Sequence, residues 1–383
     1  MGPGPSAVHR RVYEALSKRL VGHLDPEFIR IMNETQAMLR HVFRTENRLT
    51  FSVSGTGSAG MEACLVNCIE PGDEALVCVQ GVFGTRMCDI VERIGGRLHR
   101  IDRPWGQVFE PQEIADALKK HPGVRTVAIV NAETSTGAHQ PVEEIGKLCR
   151  ETGRLIIVDA VTSLGGAPLE VDRWGIDVCY SGTQKCLSCP PGLAPVTFGE
   201  RAIERLRSRK SKPASWYLDF GLIESYWTEG KRAYHHTAPI SMNYALYQAL
   251  ALVIEEGLEN RQARHRLHGR ALADGLEALG FEPFAQEGHR LPMLLSFTVP
   301  AGVVDAEVRR LLLEEYGIEI GGGLGPLAGK VWRIGLMGES SRRENVVLFL
   351  AALESILFAQ GVTKEIGAGL EAASRVYAGP ATS

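Results

Sequence analysis

Lys185 ends the stretch Tyr180-Ser-Gly-Thr-Gln-Lys185, just past the apolar run Asp177–Ser181 and among small polar residues. A lysine held at a strand end and drawn out of bulk water has a lowered pKa. It then acts as a nucleophile toward an aldehyde and as a proton carrier; taken alone, the residue also fits a surface charge. Asp159 closes the apolar run Leu155-Ile-Ile-Val and precedes Ala160-Val-Thr-Ser163. A buried carboxylate calls for a cationic partner, although a strand-end aspartate also serves as a helix N-cap. Gly55-Thr-Gly-Ser-Ala-Gly60 follows a strand pattern and opens a helical one. Thr56, Gly57 and Ser58 are then placed to hold a phosphate through backbone N–H groups and the helix dipole; a tight packing turn is the alternative. The same glycines fit a dinucleotide fingerprint, but the next strand ends in Gln80-Gly81 with no acid for a ribose. Arg333, in Lys330-Val-Trp-Arg-Ile-Gly-Leu336, alternates away from Trp332 and Ile334. With those two in a core, its guanidinium faces a cleft and suits a carboxylate; an ordinary surface arginine is the other option.

The elements needed to position these groups are an alternation of strands and helices. Strands are expected at Thr50–Ser54, Ala75–Gln80, Arg97–Asp102, Thr126–Asn131, Leu155–Asp159, Asp177–Ser181 and Ala194–Phe198. Helical spacing lies between them, as in Met61, Cys64, Leu65, Cys68 and Ile69. This predicts an α/β chain with a mostly parallel sheet covered on both faces, whose ligands bind beyond the strands' carboxyl ends. After residue 200 the pattern changes to one long helix from about Met242 to Leu272, then strands at Leu294–Val299 and Val331–Leu336 around another helix. The expected organisation is an N-terminal arm at 1–20, a large domain at 21–256 and a smaller α+β domain at 257–383, with 362–383 a surface tail.

A net charge of −3 over 383 residues gives no electrostatic footprint for nucleic acid. No apolar run reaches membrane-spanning length. The eight cysteines mostly lie in apolar patterns as small hydrophobes, which predicts a reducing, cytoplasmic setting. Cys186 and Cys189 form a lone C-x-x-C, short of the ligands a zinc site needs.

Ser54-Gly-Thr-Gly57, Ala132-Glu-Thr-Ser-Thr-Gly137, Val158-Asp-Ala-Val-Thr-Ser-Leu-Gly-Gly166, Tyr180-Ser-Gly-Thr-Gln-Lys185, Tyr234-His-His-Thr237, Glu319-Ile-Gly-Gly-Gly-Leu-Gly-Pro326 and Arg333-Ile-Gly-Leu336 together resemble the class V (fold-type I) aminotransferases. The likeness is to the alanine–glyoxylate/serine–pyruvate branch and runs from Gly2 to about residue 360. It implies pyridoxal 5′-phosphate (PLP), with Lys185 as its Schiff-base lysine and Asp159 as the partner of its pyridinium nitrogen. Thr56, Gly57, Ser58 and Gln184 match phosphate positions; Thr134 lies near the phenolic oxygen. Val161 and Phe83 match the two residues that pack on the ring faces, and Arg333 the substrate-carboxylate arginine. Tyr234 and Thr237 match positions that reach the neighbouring subunit's cofactor, which implies a homodimer with shared sites. The N-terminal Gly2-Pro-Gly-Pro5 would belong to an arm embracing the partner, with Gly4 near the substrate; the resemblance leads to the expectation of a short segment ahead of that motif. Ser58 and Phe83 depart from the His and Trp found in relatives, which puts cofactor affinity in question. The His235-His236 pair has no third ligand at metal-binding spacing.

The resemblance implies transamination between alanine or serine and glyoxylate or pyruvate. The alternatives are (S)-ureidoglycine–glyoxylate transamination and cysteine desulfuration. The latter needs a mobile cysteine in the small domain, whereas all eight here lie at or before residue 189. A dinucleotide dehydrogenase is disfavoured by the missing acid after Gln80; a PLP-binding regulator without activity is disfavoured by the intact Lys185, Asp159 and Arg333.

Overall fold

The computed structural model describes residues 1–227 and 232–379. Nine strands occupy the first half: β1 (Leu49–Ser54), β2 (Glu74–Val79), β3 (Arg97–Asp102), β4 (Val124–Val130), the short pair β5 (Ala132–Glu133) and β6 (Ala138–His139), then β7 (Leu155–Asp159), β8 (Val178–Tyr180) and β9 (Leu193–Phe198). Seven of them form one sheet in the order β1-β9-β8-β7-β4-β2-β3. Only β9 runs against its neighbours; β8, β7, β4, β2 and β3 pair in parallel. The seven expected strands all form, with ends shifted by a residue or two.

The sheet is buried on both faces, and the period of two along each strand sorts its residues between them. Val77, Val79, Ala128, Val130 and Ile157 join one apolar cluster. Their chain neighbours Leu76, Cys78, Val127, Ile129, Ile156 and Val158 join the other. Helices Gly57–Cys68 and Val82–Ile94 supply Met61, Leu65, Met87 and Val91 to the first. Their N-termini open just beyond the carboxyl ends of β1 and β2, which brings the Gly-rich turn to the ligand edge.

A third cluster forms around a four-stranded antiparallel sheet, β10 (Glu282–Pro283), β11 (Leu294–Thr298), β12 (Gly321–Gly322) and β13 (Val331–Gly335), in the order β10-β11-β13-β12. Trp332 and Ile334 are buried there with Leu272, Phe297 and Phe349. The alternation read from the sequence therefore holds, and Arg333 points the other way.

Two expectations are corrected. The helix expected from Met242 to Leu272 is two helices, Ile240–Glu256 and Leu258–Ala278, because Gly257 adopts φ 81 at the junction, a conformation open to glycine. Glu256 then faces back onto Arg261 and Arg264 across the break. The tail expected on the surface contains a docked helix, Ala368–Ala378, with Gly369 and Ala373 buried. The fully buried Glu354 carboxylate accepts from the backbone N–H groups of Gly367 and Gly369 at 2.7 and 2.6 Å and so caps it; residues 380–383 of that tail lie outside the described residues. Residues 1–6 also pack on their own chain. The Gly335 N–H donates to the Met1 carbonyl and that of Ser6 to the Gln184 carbonyl, so residues 1–6 cross from the small sheet to the lysine loop. Helix Arg10–Leu16 buries Val12 and Ala15 and ties Arg11 to Glu255.

Candidate active site

The site grows from the carboxyl ends of β1, β2, β7 and β8. Thr56, Gly57, Ser58, Met61, Phe83, Arg86, Asp159, Val161, Gln184 and Lys185 line one pocket of about 180 Å³. Eight of these were expected from the sequence, and the structure brings all eight together.

At one end, Thr56 is the N-cap of helix Gly57–Cys68 yet makes no side-chain cap bond, so its hydroxyl stays available beside the free N–H groups of the first turn. Gly57 lies against Gly182 and Val161, where a Cβ would sit 3.4 Å from each. The Ser58 hydroxyl accepts from Arg86 at 3.0 Å. Arg86 also lies over the Phe83 ring, 4.9 Å from its centroid. Gln184 Oε1 is buried with no hydrogen-bond partner among the described residues.

At the other end, Asp159 is 2% exposed. Its Oδ1 accepts from the Val161 N–H and its Oδ2 from the Tyr180 hydroxyl, both at 2.8 Å. Burial nevertheless pushes its carboxyl up to about 6, since among the described residues no directly bonded cation offsets the desolvation.

Between them stands Lys185. Burial, with help from the positive charge of Arg333, lowers its amine to about 8. Its Nζ donates to the Pro3 carbonyl, and Gly4, at φ 116, passes so close that a Cβ there would lie 2.7 Å from Nζ. Gly4 therefore meets the lysine of its own chain. Arg333 is 7% exposed; its Nε donates to the Gly322 carbonyl at 2.9 Å and Nη1 to the Thr134 carbonyl at 3.3 Å. The Thr134 hydroxyl meets that of Thr162 at 2.6 Å.

Tyr234 and Thr237 are not brought to this pocket. Both are exposed and bond each other at 3.2 Å. Reasoning from sequence missed Arg86, Tyr180 and Glu133. Arg86 lies one helical turn after Phe83, whereas Tyr180 and Glu133 both sit inside quoted motifs without being singled out.

The arrangement offers a helix N-terminus suited to an anion, a buried aspartate suited to a cation, and an amine of lowered pKa between them. It has the groups to bind a phosphorylated heterocycle and to move a proton beside it. A profile of the family described as aminotransferase class-V matches residues 8–333. The chain is 43% identical to an (S)-ureidoglycine–glyoxylate transaminase of Bacillus subtilis, over 98% of this chain and 94% of that protein. It is 42% identical to an alanine–glyoxylate aminotransferase of Callithrix jacchus, over 93% and 87% respectively. The crystal structure of an alanine–glyoxylate aminotransferase from Nostoc sp. is similar at 50% identity and a TM-score of 0.91, covering 93% of this chain and 94% of that one.

Proposed function

We propose that this chain, which belongs to the class-V aminotransferases, moves an amino group between a small amino acid, alanine or serine, and glyoxylate with PLP as its cofactor. The observation that carries this reading is the convergence of Lys185, Asp159 and the Thr56–Ser58 turn on one pocket, with Arg333 close enough to depress the lysine.

The residues fit the cofactor. Asp159 is a buried carboxylate that lacks a cation, and a pyridinium N–H supplies one. The Thr56 hydroxyl is a donor left over for a phosphorylated ligand, and Gln184, whose buried Oε1 has no partner among the described residues, would turn its Nε2 donor toward the phosphate. Thr56, Gly57, Ser58 and Gln184 would hold the phosphate end, and Phe83 and Val161 the ring faces. When bound, PLP supplies an aldehyde that captures the substrate amine and a ring that draws electrons from the α-carbon.

The chain's own groups do the rest. Arg333 binds the substrate carboxylate through its planar fork. Asp159 stays ionised opposite a cation, which keeps a ring proton in place. Lys185, as a free amine of lowered pKa beside the substrate, would take the proton from the α-carbon and hold it for return. The Gly2–Pro5 segment roofs the lysine and limits water around it.

Tyr234 and Thr237 face outward together, near exposed Trp216 and Tyr217. This supports a homodimer in which each chain completes its partner's pocket. The eight cysteines are unpaired and buried, which supports a cytoplasmic setting. No helix among the described residues is long and apolar enough to cross a membrane.

The 50% identity to the Nostoc protein favours alanine as donor, while the Bacillus relative, matched along 98% of this chain, supports ureidoglycine as a second reading. A half-reaction screen decides between them. PLP-loaded protein is mixed with alanine, serine or ureidoglycine, and loss of the visible band is followed before and after glyoxylate is added. Bleaching by alanine or serine, reversed by glyoxylate, is the expected result; bleaching by ureidoglycine alone selects the second reading. A protein that never takes up PLP overturns both.

A further inference from the structure

Helix Val82–Ile94 begins at Gly81, which has no side chain to cap it. Its first N–H groups are nonetheless satisfied, from a segment some fifty residues on. The Val82 N–H donates to Ser135 Oγ at 3.0 Å, and the Phe83 N–H to Glu133 Oε2 at 3.3 Å. Ser135 is in turn bound to Glu133 Oε1 by its N–H at 3.0 Å and by its hydroxyl at 2.5 Å. The Glu133 carboxylate is fully buried and wedged under Gly81, where an added Cβ would sit 2.3 Å from Glu133 Cδ. Such a carboxylate is expensive to desolvate, and burial pushes it up to about 7. Apolar packing would be satisfied by a neutral residue. What the carboxylate adds is a fixed end for the helix whose first turn and a half carries Phe83 and Arg86, two walls of the pocket.

We propose that Glu133 is a positioning residue for the cofactor: together with Ser135 it caps helix Val82–Ile94 from outside and so fixes Phe83 and Arg86 in the pocket wall. The inference rests on the PLP reading above. The neighbouring residue extends the same device, since the Thr134 carbonyl accepts from Arg333. The segment thereby ties the stacking wall to the carboxylate-binding arginine.

The test is the affinity of apo-protein for PLP, read as the visible band in a titration rather than as turnover. In wild type, tight uptake is expected; no uptake at all sinks the proposed function instead of this inference. Glu133→Ala should raise Kd on the order of 10-fold, the scale of one charged hydrogen bond lost, with Glu133→Gln in between. The deciding step is to repeat Glu133→Ala in a Phe83→Ala/Arg86→Ala background. A residue acting through those two has almost nothing further to lose there, so the expected additional change is under about 2-fold. A purely structural role would leave the loss undiminished, and multiplying losses overturn the inference, as does an unchanged Kd in the single variant. If Glu133→Ala does not yield folded protein, Ser135→Ala is put through the same cycle, with the same two outcomes deciding.

Discussion

Asp159 and Tyr180 are register partners on neighbouring parallel strands, and the tyrosine hydroxyl donates to Asp159 Oδ2 at 2.8 Å with both side chains buried. One oxygen of the carboxylate is thus oriented by a neutral donor and the other by the Val161 N–H. Neither donor outweighs desolvation, so the carboxyl remains raised to about 6.

That shift predicts a pH dependence of apo-protein stability. A carboxyl raised on folding contributes stability that is fully present below its ordinary value of 3.8 and is lost as pH climbs through about 6. The lost amount is about 3 kcal/mol. Apo Asp159→Asn lacks this loss, so the stability difference between variant and wild type should move in the variant's favour between about pH 4 and pH 6. Urea denaturation of both apo-proteins across that range measures it, and parallel curves would contradict it. Added PLP should stabilise wild type more than the variant, because its cation pairs with the ionised aspartate.

Lys185→Ala should abolish the visible band that wild type forms with PLP. Loss of the proton carrier should slow the alanine half-reaction by on the order of 10²–10⁴-fold. A small exogenous amine should restore part of that rate by taking over the proton transfer. In wild type the amine is lowered to about 8 by burial and Arg333, so the rate of band formation should rise with pH and level off above about 8. Stopped-flow absorbance follows both, and a rate flat through that range would contradict the lowered amine.

Arg333→Lys keeps the charge but loses the fork, whose plane is set by bonds to the Gly322 and Thr134 carbonyls. The expected result is a KM for the amino donor raised about 10- to 100-fold, with a smaller change in kcat. PLP affinity should hold, since Arg333 does not line the cofactor pocket. Equal losses in kcat and kcat/KM would place the arginine in a different role.

How much of this was legible in the sequence depends on how local the cause is. The central strands β2, β4 and β7 announce themselves because both faces are buried, so each carries a nearly unbroken apolar run, whereas the edge strand β3 shows only weak alternation. Lys185 and Asp159 inherit their places from such runs, and Arg333 from a simple alternation with Trp332 and Ile334. The break at Gly257 was hidden because one glycine interrupts a helical pattern without erasing it. Helix Ala368–Ala378 was hidden because its composition is weak and its cap, Glu354, comes from another element. Glu133 was overlooked for the same reason: its Phe83 partner lies fifty residues away and becomes a neighbour only through the sheet.

Tyr234 and Thr237 supply the last prediction. In the single chain Tyr234 is 58% exposed, bonds Thr237 and does not line its own pocket. If each chain lends these hydroxyls to its partner's phosphate, Tyr234→Ala/Thr237→Ala should weaken PLP binding on the order of 100-fold or more, the scale of two lost hydrogen bonds to a charged group. Position can be separated from damage by mixing. Neither Lys185→Ala nor the double variant should be active at limiting PLP. A hybrid dimer of the two contains one pocket whose lysine and borrowed hydroxyls are all intact and one that lacks both. Co-refolding equal amounts should therefore restore about one-quarter of wild-type activity, because half the dimers are hybrids and each has one working site. Recovery tests the sharing directly, since two chains that each complete their own pocket would show none at any mixing ratio.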